Sequence, residues 1–315
     1  MRAYIIIILL ALSFVTNCTT QNTSIEEKAE ERAAETTSEH IDSELTIETQ
    51  TSLLPLGDGK YTSSPKKGYI YSCNTRFHGV GAFKDGTWIE DDVWDPSEKV
   101  TVDGEVVWEN AEITITRTED ERIIESNDLP TEQTTGIFPI AKTDDAYLYD
   151  RNPNSIEEQT IKVSLIRNPA LAEAPSCVGQ GAIGVMLNGV LLFNGFDAGG
   201  RDAVAHEIQD SCDGHPQETG QYHYHSESIC LEDTKDSDMH SGLLGYALDG
   251  FGIYGKYGEE GILLYTDDLD ECHGHVHEIM WDEETKEIYH YHFTEEFPYS
   301  IGCFKGTPIS IEGSS

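Results

Sequence analysis

The sequence predicts a mainly β fold with a few short helices, organised as a tandem duplication within one domain. Turn dipeptides separate apolar runs: Asp103-Gly104 lies within "KVTVDGEVVWENAEITITRT", and Asn188-Gly189 lies within "IGVMLNGVLLFN". Such pairs between alternating or apolar segments are typical of β-hairpins. Helical periodicity is limited to "RDAVAHEIQDSC", residues 201–212, where Ala203, Ala205 and Ile208 would face inward.

The duplication is seen as four landmarks that occur twice in the same order. Each unit contains a hairpin, Cys-x-Gly-His, Tyr-His-Tyr-His and a further cysteine. The landmarks begin at Ile183, Cys212, Tyr222 and Cys230 in the first unit, and at Leu244, Cys272, Tyr289 and Cys303 in the second. Because the order is kept while the spacers differ in length, we expect two copies that pack against each other.

The first residues predict export. Residues 1–17 carry one positive charge and an apolar run from Tyr4 to Val15, which is too short to span a bilayer and is typical of a signal peptide. Cys18 follows Val15-Thr16-Asn17, the outline of a bacterial lipoprotein box whose cysteine becomes acylated. Asn17 departs from the usual small residue, so an ordinary signal peptide is the alternative. We expect a lipoprotein of the cell envelope, periplasmic or at the cell surface, or otherwise a secreted protein.

Composition divides the rest of the chain. Residues 18–55 are rich in Glu, Thr and Ser and contain no aromatic residue, which predicts an acidic disordered tether. Residues 56–311 form the predicted domain, with an N-terminal β part at 56–175 and a duplicated histidine-rich core at 176–311. The net charge of −38 makes nucleic acid and anionic membrane surfaces poor partners. The expected membrane contact is therefore the lipid anchor.

Six cysteines remain after Cys18, and an even number in an exported chain predicts disulfides. We expect Cys212–Cys230 and Cys272–Cys303, because each pair brackets one Tyr-His-Tyr-His segment. Cys73–Cys177 follows by elimination.

The histidines predict metal sites. Residues i and i+2 of a strand point to the same face, so the histidine pair of each tetrad projects together while the tyrosines face the other way. The histidine of each Cys-x-Gly-His segment is the natural third ligand. The candidate ligands are His215, His223, His225, His275, His290 and His292. Imidazole ligands suit transition metals, with copper and zinc the first choices for an exported protein.

Two arrangements are open at this stage: one site in each unit, or one site shared across a pseudo-twofold axis. Other polar residues could support a site, namely His206, Asp210, Asp249 and His277. The alternative interpretation is that the histidines are hydrogen-bonded packing residues on half-buried strands.

Long segments of the folded part resemble the YHYH-domain family, named for the tetrad. They include "GRDAVAHEIQDSCDGHPQETGQYHYHS", "LLGYALDGFGIYG" and "YHYHFTEEFPYSIGCFKG". The resemblance implies an exported domain, with the defining tetrad at Tyr222, His223, Tyr224 and His225. It implies no activity.

The leading functional hypothesis is a lipid-anchored protein that binds copper or zinc through histidines of both units. The residues alone do not indicate catalysis, and the sequence contains no nucleotide-binding or serine-hydrolase motif. The alternatives are a metal-dependent extracytoplasmic hydrolase or oxidoreductase, with Asp210, Glu207 or Asp249 as acid or base, and a structural or adhesive lipoprotein without metal.

Overall fold

Short strands dominate the N-terminal part of the protein. The computed structural model describes residues 53–79 and 81–311, so the predicted signal peptide, Cys18 and nearly all of the predicted tether lie outside the described residues. The strands of this part are β1 (Leu54–Pro55), β2 (Tyr61–Thr62), β3 (Ile70–Tyr71), β4 (Ile89–Glu90), β5 (Val93–Trp94), β6 (Val106–Val107), β7 (Ile113–Arg117), β8 (Glu121–Ser126), β9 (Thr134–Thr135) and β10 (Ile161–Ile166). Two 3-10 helices cover Pro96–Glu98 and Asp145–Leu148.

An eight-stranded sheet forms the C-terminal part. Its strands are β11 (Ala182–Met186), β12 (Leu191–Phe193), β13 (Gly214–Pro216), β14 (Tyr222–Tyr224), β15 (Leu243–Ala247), β16 (Gly252–Tyr254), β17 (Gly274–Trp281) and β18 (Glu284–His292). The helical segments are α1 (Ala203–His206) and 3-10 helices at Glu259–Gly261 and Thr266–Asp268. This content confirms the mainly β prediction. No helix among the described residues is long and apolar enough to cross a membrane.

The eight-stranded sheet is symmetric about its centre. Its order is β13-β14-β12-β11-β15-β16-β18-β17. Val185 pairs with Tyr246 at the central β11–β15 contact. Outward from the centre, each half has the hairpin partner of the central strand (β12 or β16) and then a strand parallel to that partner (β14 or β18). The outermost strand (β13 or β17) is antiparallel to its neighbour. The two halves therefore have the same strand order and directions.

The pairing registers also agree between the halves. His215 lies opposite His223 in one half, and His275 lies opposite His290 in the other. Both hairpins have a register shift at the same place, one between residues 182 and 184 and one between residues 243 and 245. The outer hairpin β17–β18 is longer than β13–β14, which accounts for the longer second spacer.

Asn188-Gly189 and Asp249-Gly250 lie in the turns of the two central hairpins. Gly189 has φ +94° and Gly250 has φ +92°, values that glycine adopts without the steric cost of a side chain. The central strands are buried on both faces, as their continuous apolar sequence requires. The hairpin prediction at Asn188-Gly189 is confirmed.

Two local predictions are wrong. Asp103-Gly104 is not a hairpin turn, because β6 pairs with the distant β9 and the Asp103 N–H donates to Asp144 at 3.0 Å. The helix predicted at 201–212 is confined to Ala203–His206, since Glu207 already has extended backbone with ψ 150°. Beyond it, the Asp210 carboxylate binds backbone N–H groups that a continued helix could not present.

The three predicted disulfides are present. They join Cys73 to Cys177, Cys212 to Cys230 and Cys272 to Cys303. The second and third bonds each close the segment that contains one tetrad. The first ties the N-terminal part to the residues just before β11.

Candidate metal centres

The first candidate centre is the three-histidine cluster, His215, His223 and His225. His215 lies on β13 directly across from His223, and His223 and His225 project from the same face of β14 and the residue after it. The Nε2 atoms of His223 and His225 are 3.1 Å apart. One nitrogen from each of the three rings lies within 4.8 Å of the others. All three side chains are buried.

Backbone carbonyls fix the orientation of two rings in this cluster. The Nδ1 of His225 lies 2.5 Å from the Asn194 carbonyl, and the Nδ1 of His223 lies 3.2 Å from the Gln221 carbonyl. A carbonyl oxygen only accepts, so each Nδ1 must carry the hydrogen. Each Nε2 therefore presents a lone pair toward the other, as in metal-ligating histidines held by carbonyls.

The second candidate centre is the four-histidine cluster, His240, His275, His290 and His292. The Nε2 of His275 lies 3.0 Å from that of His290 and 3.1 Å from that of His292. The Nε2 of His290 lies 3.3 Å from that of His240. Four Nε2 atoms thus converge on one point.

Carbonyls orient three of these four rings in the same way. The Nδ1 atoms of His240, His290 and His292 donate to the carbonyls of Ser241, Ile288 and Gly255, at 2.7, 3.1 and 2.6 Å. The contact between His240 and His290 therefore joins two nitrogen lone pairs with no proton between them. Such a contact is repulsive unless a cation lies between the atoms.

Burial keeps these imidazoles neutral. It lowers the pKa of His223, His290 and His292 well below the ordinary value, and it lowers the pKa of His225 to about 4. Neighbouring imidazoles lower the pKa of His223, His290 and His292 further. Neutral imidazole is the form that binds metal. Both clusters therefore have their ligands in the required protonation state near neutral pH.

The comparison with known families supports the resemblance that the tetrad indicated. A family model described as "YHYH protein" matches residues 162–263. The predicted YHYH resemblance is confirmed. The match spans the central hairpins and the first tetrad, and it ends before the second tetrad. No curated protein and no solved structure matches the chain.

The tyrosines of the YHYH tetrads anchor the strands from the opposite face. Tyr222 donates to Asp210 at 2.9 Å, and Tyr291 donates to Asp249 at 2.6 Å. Asp210 also accepts from the N–H groups of Cys212 and Gly214. Asp210 and Asp249, predicted as supporting residues, therefore hold the tyrosine face and do not contact the imidazoles.

The other two predicted supporting residues lie in different places. His206 lies between Asp58 and Asp85, at 3.1 Å from each, and belongs to neither cluster. Burial would lower its pKa, but the hydrogen bond and charge of Asp58 outweigh that effect and raise it. His277 stacks on His240 with ring centroids 5.6 Å apart and lies 3.4 Å from Glu259.

The structure brings in residues that the sequence did not single out as ligands. His240 completes the second cluster from the segment before β15. Glu207, predicted only as a possible acid or base, places Oε2 3.6 Å from the Nε2 atoms of both His215 and His225. Asp270 binds Tyr289 at 3.0 Å, as Asp210 binds Tyr222. The shared Asp-x-Cys-x-Gly-His spacing could have revealed Asp270, but no pattern marks His240.

A cavity of about 890 Å³ opens over the three-histidine cluster. All three of its histidines and Glu207 line the cavity, and Phe193 stacks on His223 with ring centroids 4.0 Å apart. The first cluster thus faces a space that can admit a ligand.

The two clusters are separate sites. Strands β14 and β18 are five strand positions apart in the sheet order, a separation of about 24 Å at the usual strand spacing. The shared-site arrangement considered from the sequence is therefore wrong. The two halves of the sheet meet through β11 and β15 and place their tetrads toward opposite ends of the sheet.

Asp202 positions the helix that leads to Glu207. Its carboxylate accepts from the N–H groups of Gly57 and Ala205 at 2.8 and 3.2 Å, and from the Tyr299 hydroxyl at 2.7 Å. Burial nevertheless raises the pKa of Asp202 to about 6, against an ordinary 3.8.

Replacing Asp202 with asparagine will remove part of the pH dependence of stability. The folded state of the wild type binds the Asp202 proton more tightly than the unfolded state does. The contribution of Asp202 to stability is therefore fully present below about pH 4 and is lost as the pH rises through about 6. The expected loss is on the order of 3 kcal/mol. Urea unfolding across this range should show the extra loss in the wild type only. Parallel profiles for the two proteins would contradict the expectation, and near-equal stability at about pH 4 is the control.

Proposed function

We propose that this exported YHYH protein binds two transition-metal ions, one in the three-histidine cluster and one in the four-histidine cluster. Copper or zinc is the proposed metal, since neutral imidazoles favour these ions and disfavour calcium. The proposal rests on side-chain geometry in both halves of the sheet.

The convergence of Nε2 lone pairs is the observation that supports metal binding most strongly. Nitrogens bound tetrahedrally at zinc distances are about 3.3 Å apart. The Nε2 contacts in the four-histidine cluster are 3.0, 3.1 and 3.3 Å. Packing alone does not favour this arrangement, because buried polar atoms are normally paired with a donor or an acceptor of opposite kind.

An internal duplication explains why there are two sites. The halves share strand order, pairing register and the position of the hairpin shift. They also share the supporting contacts, because Tyr222 and Tyr289 each bind the aspartate two residues before the Cys-x-Gly-His cysteine. We propose that an ancestral unit with one histidine site was copied in tandem.

The three disulfides support export, since such bonds persist in oxidising compartments. We propose that Cys18 carries a lipid that anchors the protein to the outer or cell-surface membrane. In this proposal residues 18–55 are the tether and residues 56–311 are the metal-binding domain.

Metal analysis of protein purified without a polyhistidine tag tests the proposal. We expect two equivalents of copper or zinc per chain. The double substitution His223→Ala and His225→Ala should leave one equivalent, because the second cluster lies at the other end of the sheet. His206→Ala, which changes a buried histidine outside both clusters, should retain two. A wild type that takes up no metal would leave the histidines as packing residues in a structural lipoprotein.

A metal-dependent enzyme is the second candidate function. The cavity over the three-histidine cluster favours it, since catalytic sites commonly use three protein ligands and keep one position for water or substrate. Cobalt substitution separates the two candidates. An exchangeable water at the first site would favour a hydrolase or oxidoreductase, and two closed sites would favour a binding module.

A further inference from the structure

The arginines of the described residues divide into two groups. Four of them form ion pairs with carboxylates: Arg117, Arg122, Arg167 and Arg201. Within residues 53–79 and 81–311, the other two, Arg76 and Arg151, have no carboxylate within ion-pair distance. Both line the cavity over the three-histidine cluster.

This placement is informative because the chain has 58 acidic and only 20 basic residues. An exposed arginine needs no partner. Because carboxylates outnumber cations nearly threefold, however, most arginines are expected to have a carboxylate nearby. The two guanidinium groups that pair with no carboxylate of the described residues nevertheless line the same cavity.

The contacts around Arg151 hold its guanidinium in place. Its Cζ lies 3.4 Å from the centroid of the Phe83 ring and 5.3 Å from that of Tyr147. Cation–π contacts of this kind fix the plane of the group without neutralising its charge. The donors of the guanidinium remain available to a ligand.

Two carboxylates of the cavity wall are already engaged by protein groups. Asp197 binds Arg201 at 2.9 Å, and Asp150 accepts from the Ile208 N–H at 3.1 Å. Glu207 and Glu218 also line the cavity, so the wall carries both signs. A mixed wall, in which two guanidinium groups pair with no carboxylate of residues 53–79 and 81–311, suits a small anion and not a polyanion.

We infer that the cavity binds a small organic molecule with a carboxylate or phosphate group, which Arg76 and Arg151 recognise at the wall while the rest of the molecule faces the three-histidine cluster. The planar fork of arginine matches both groups. The cavity volume of about 890 Å³ lies within the range usual for small-molecule sites. Phe77, Phe193 and Phe196 supply an apolar wall.

The inference rests on the proposed function in one respect only: the bound molecule would face the metal ion proposed for the three-histidine cluster. The guanidinium groups are part of the cavity with or without metal. Anion binding can therefore be measured in metal-loaded and in metal-free protein.

Isothermal titration calorimetry of the full chain, with inorganic phosphate in one arm and succinate in the other, tests the inference. We expect binding of at least one anion, and the arm that gives heat identifies which group is recognised. The double substitution Arg76→Gln and Arg151→Gln should weaken that binding about tenfold or more, since hydrogen bonds to charged groups are among the strongest in proteins. Lys162→Gln, which removes a positive charge on β10 that is 65% exposed and pairs with Glu125, should leave it unchanged.

The outcomes separate this inference from the metal proposal. Metal uptake without binding of either anion, or binding that the double arginine variant retains in full, would overturn the inference and leave the metal proposal intact. If the protein takes up no metal when copper or zinc is supplied, the metal proposal is refuted, and anion binding that depends on the arginines would still support the inference.

Discussion

Replacing Asp282 with alanine will lower the free energy of unfolding by about 3–5 kcal/mol, the usual cost of removing one partner of a buried ion pair. Asp282 lies in the turn between β17 and β18 and binds Arg122 at 2.8 Å through Oδ1 and Arg167 at 2.8 Å through Oδ2. The Arg122 side chain is fully buried. Without Asp282, its charge would remain in the core without a counterion. Urea unfolding at neutral pH measures the loss.

The neighbouring Glu283 provides a matched control. Both residues have left-handed backbone, with φ 49° for Asp282 and 73° for Glu283, so alanine introduces similar backbone strain at either position. Glu283 is 91% exposed, and its contact with Arg117 is 3.9 Å long. Glu283→Ala should therefore change stability little. Equal losses in the two variants would show that strain, and not the buried charge, sets the cost.

A double variant isolates the charge. Arg122 packs over Tyr246 and Trp281, with Cζ 4.1 and 4.8 Å from the ring centroids. Arg122→Met keeps an apolar side chain in this space and removes the guanidinium. Combined with Asp282→Ala, it should recover part of the stability that Asp282→Ala alone loses. Further loss in the double variant would contradict the buried-charge explanation.

This ion pair also links the hairpin β17–β18, which carries three histidines of the second cluster, to the rest of the domain. Arg122 belongs to β8 of the three-stranded sheet β10-β8-β7. Tyr246 belongs to the central strand pair of the larger sheet, and Trp281 ends β17, which carries His275. The contact thus joins the N-terminal β part to both the centre and the edge of the histidine-rich sheet.

Several features of the site were predictable because they depend on local geometry. The two-residue period of a strand placed His223 with His225, and His290 with His292, whatever the strands paired with. Asn188-Gly189 predicted its hairpin since a tight turn is decided by the residues within it. Two of the cysteine pairs followed from their positions around the tetrads, and the third followed by elimination.

Other features depend on contacts between distant segments. His240 lies outside the repeated landmarks, and only the folding of its segment onto β16 and β18 brings its ring to His290. Glu207 reaches the first cluster because the predicted helix ends early, when Asp210 takes up backbone donors instead. Asp103-Gly104 had favourable turn chemistry, but β6 pairs with β9. Tertiary pairing overrode the local preference there.

If the four-histidine cluster binds metal as proposed, removing that metal will lower the thermal stability of the domain. A ligand that binds only the folded state stabilises it by about 4 kcal/mol when its free concentration is a thousandfold above Kd. The ion would link the segment before β15, which carries His240, to β17 and β18, which carry the other three histidines. We expect the melting temperature to fall after chelation and to recover when copper or zinc is returned. Calorimetry with and without chelator measures both steps.

Leucine variants test the cause of this effect. His290→Leu with His292→Leu removes two ligands and replaces converging lone pairs with apolar atoms in a buried space. This variant should lose the metal response of the second cluster while remaining at least as stable as the metal-free wild type, because buried polar groups without partners are costly. His223→Leu with His225→Leu should keep that response. Combining all four leucine substitutions disables both clusters. If the melting temperature of that variant still depended on metal, the four-histidine cluster could not be the stabilising site.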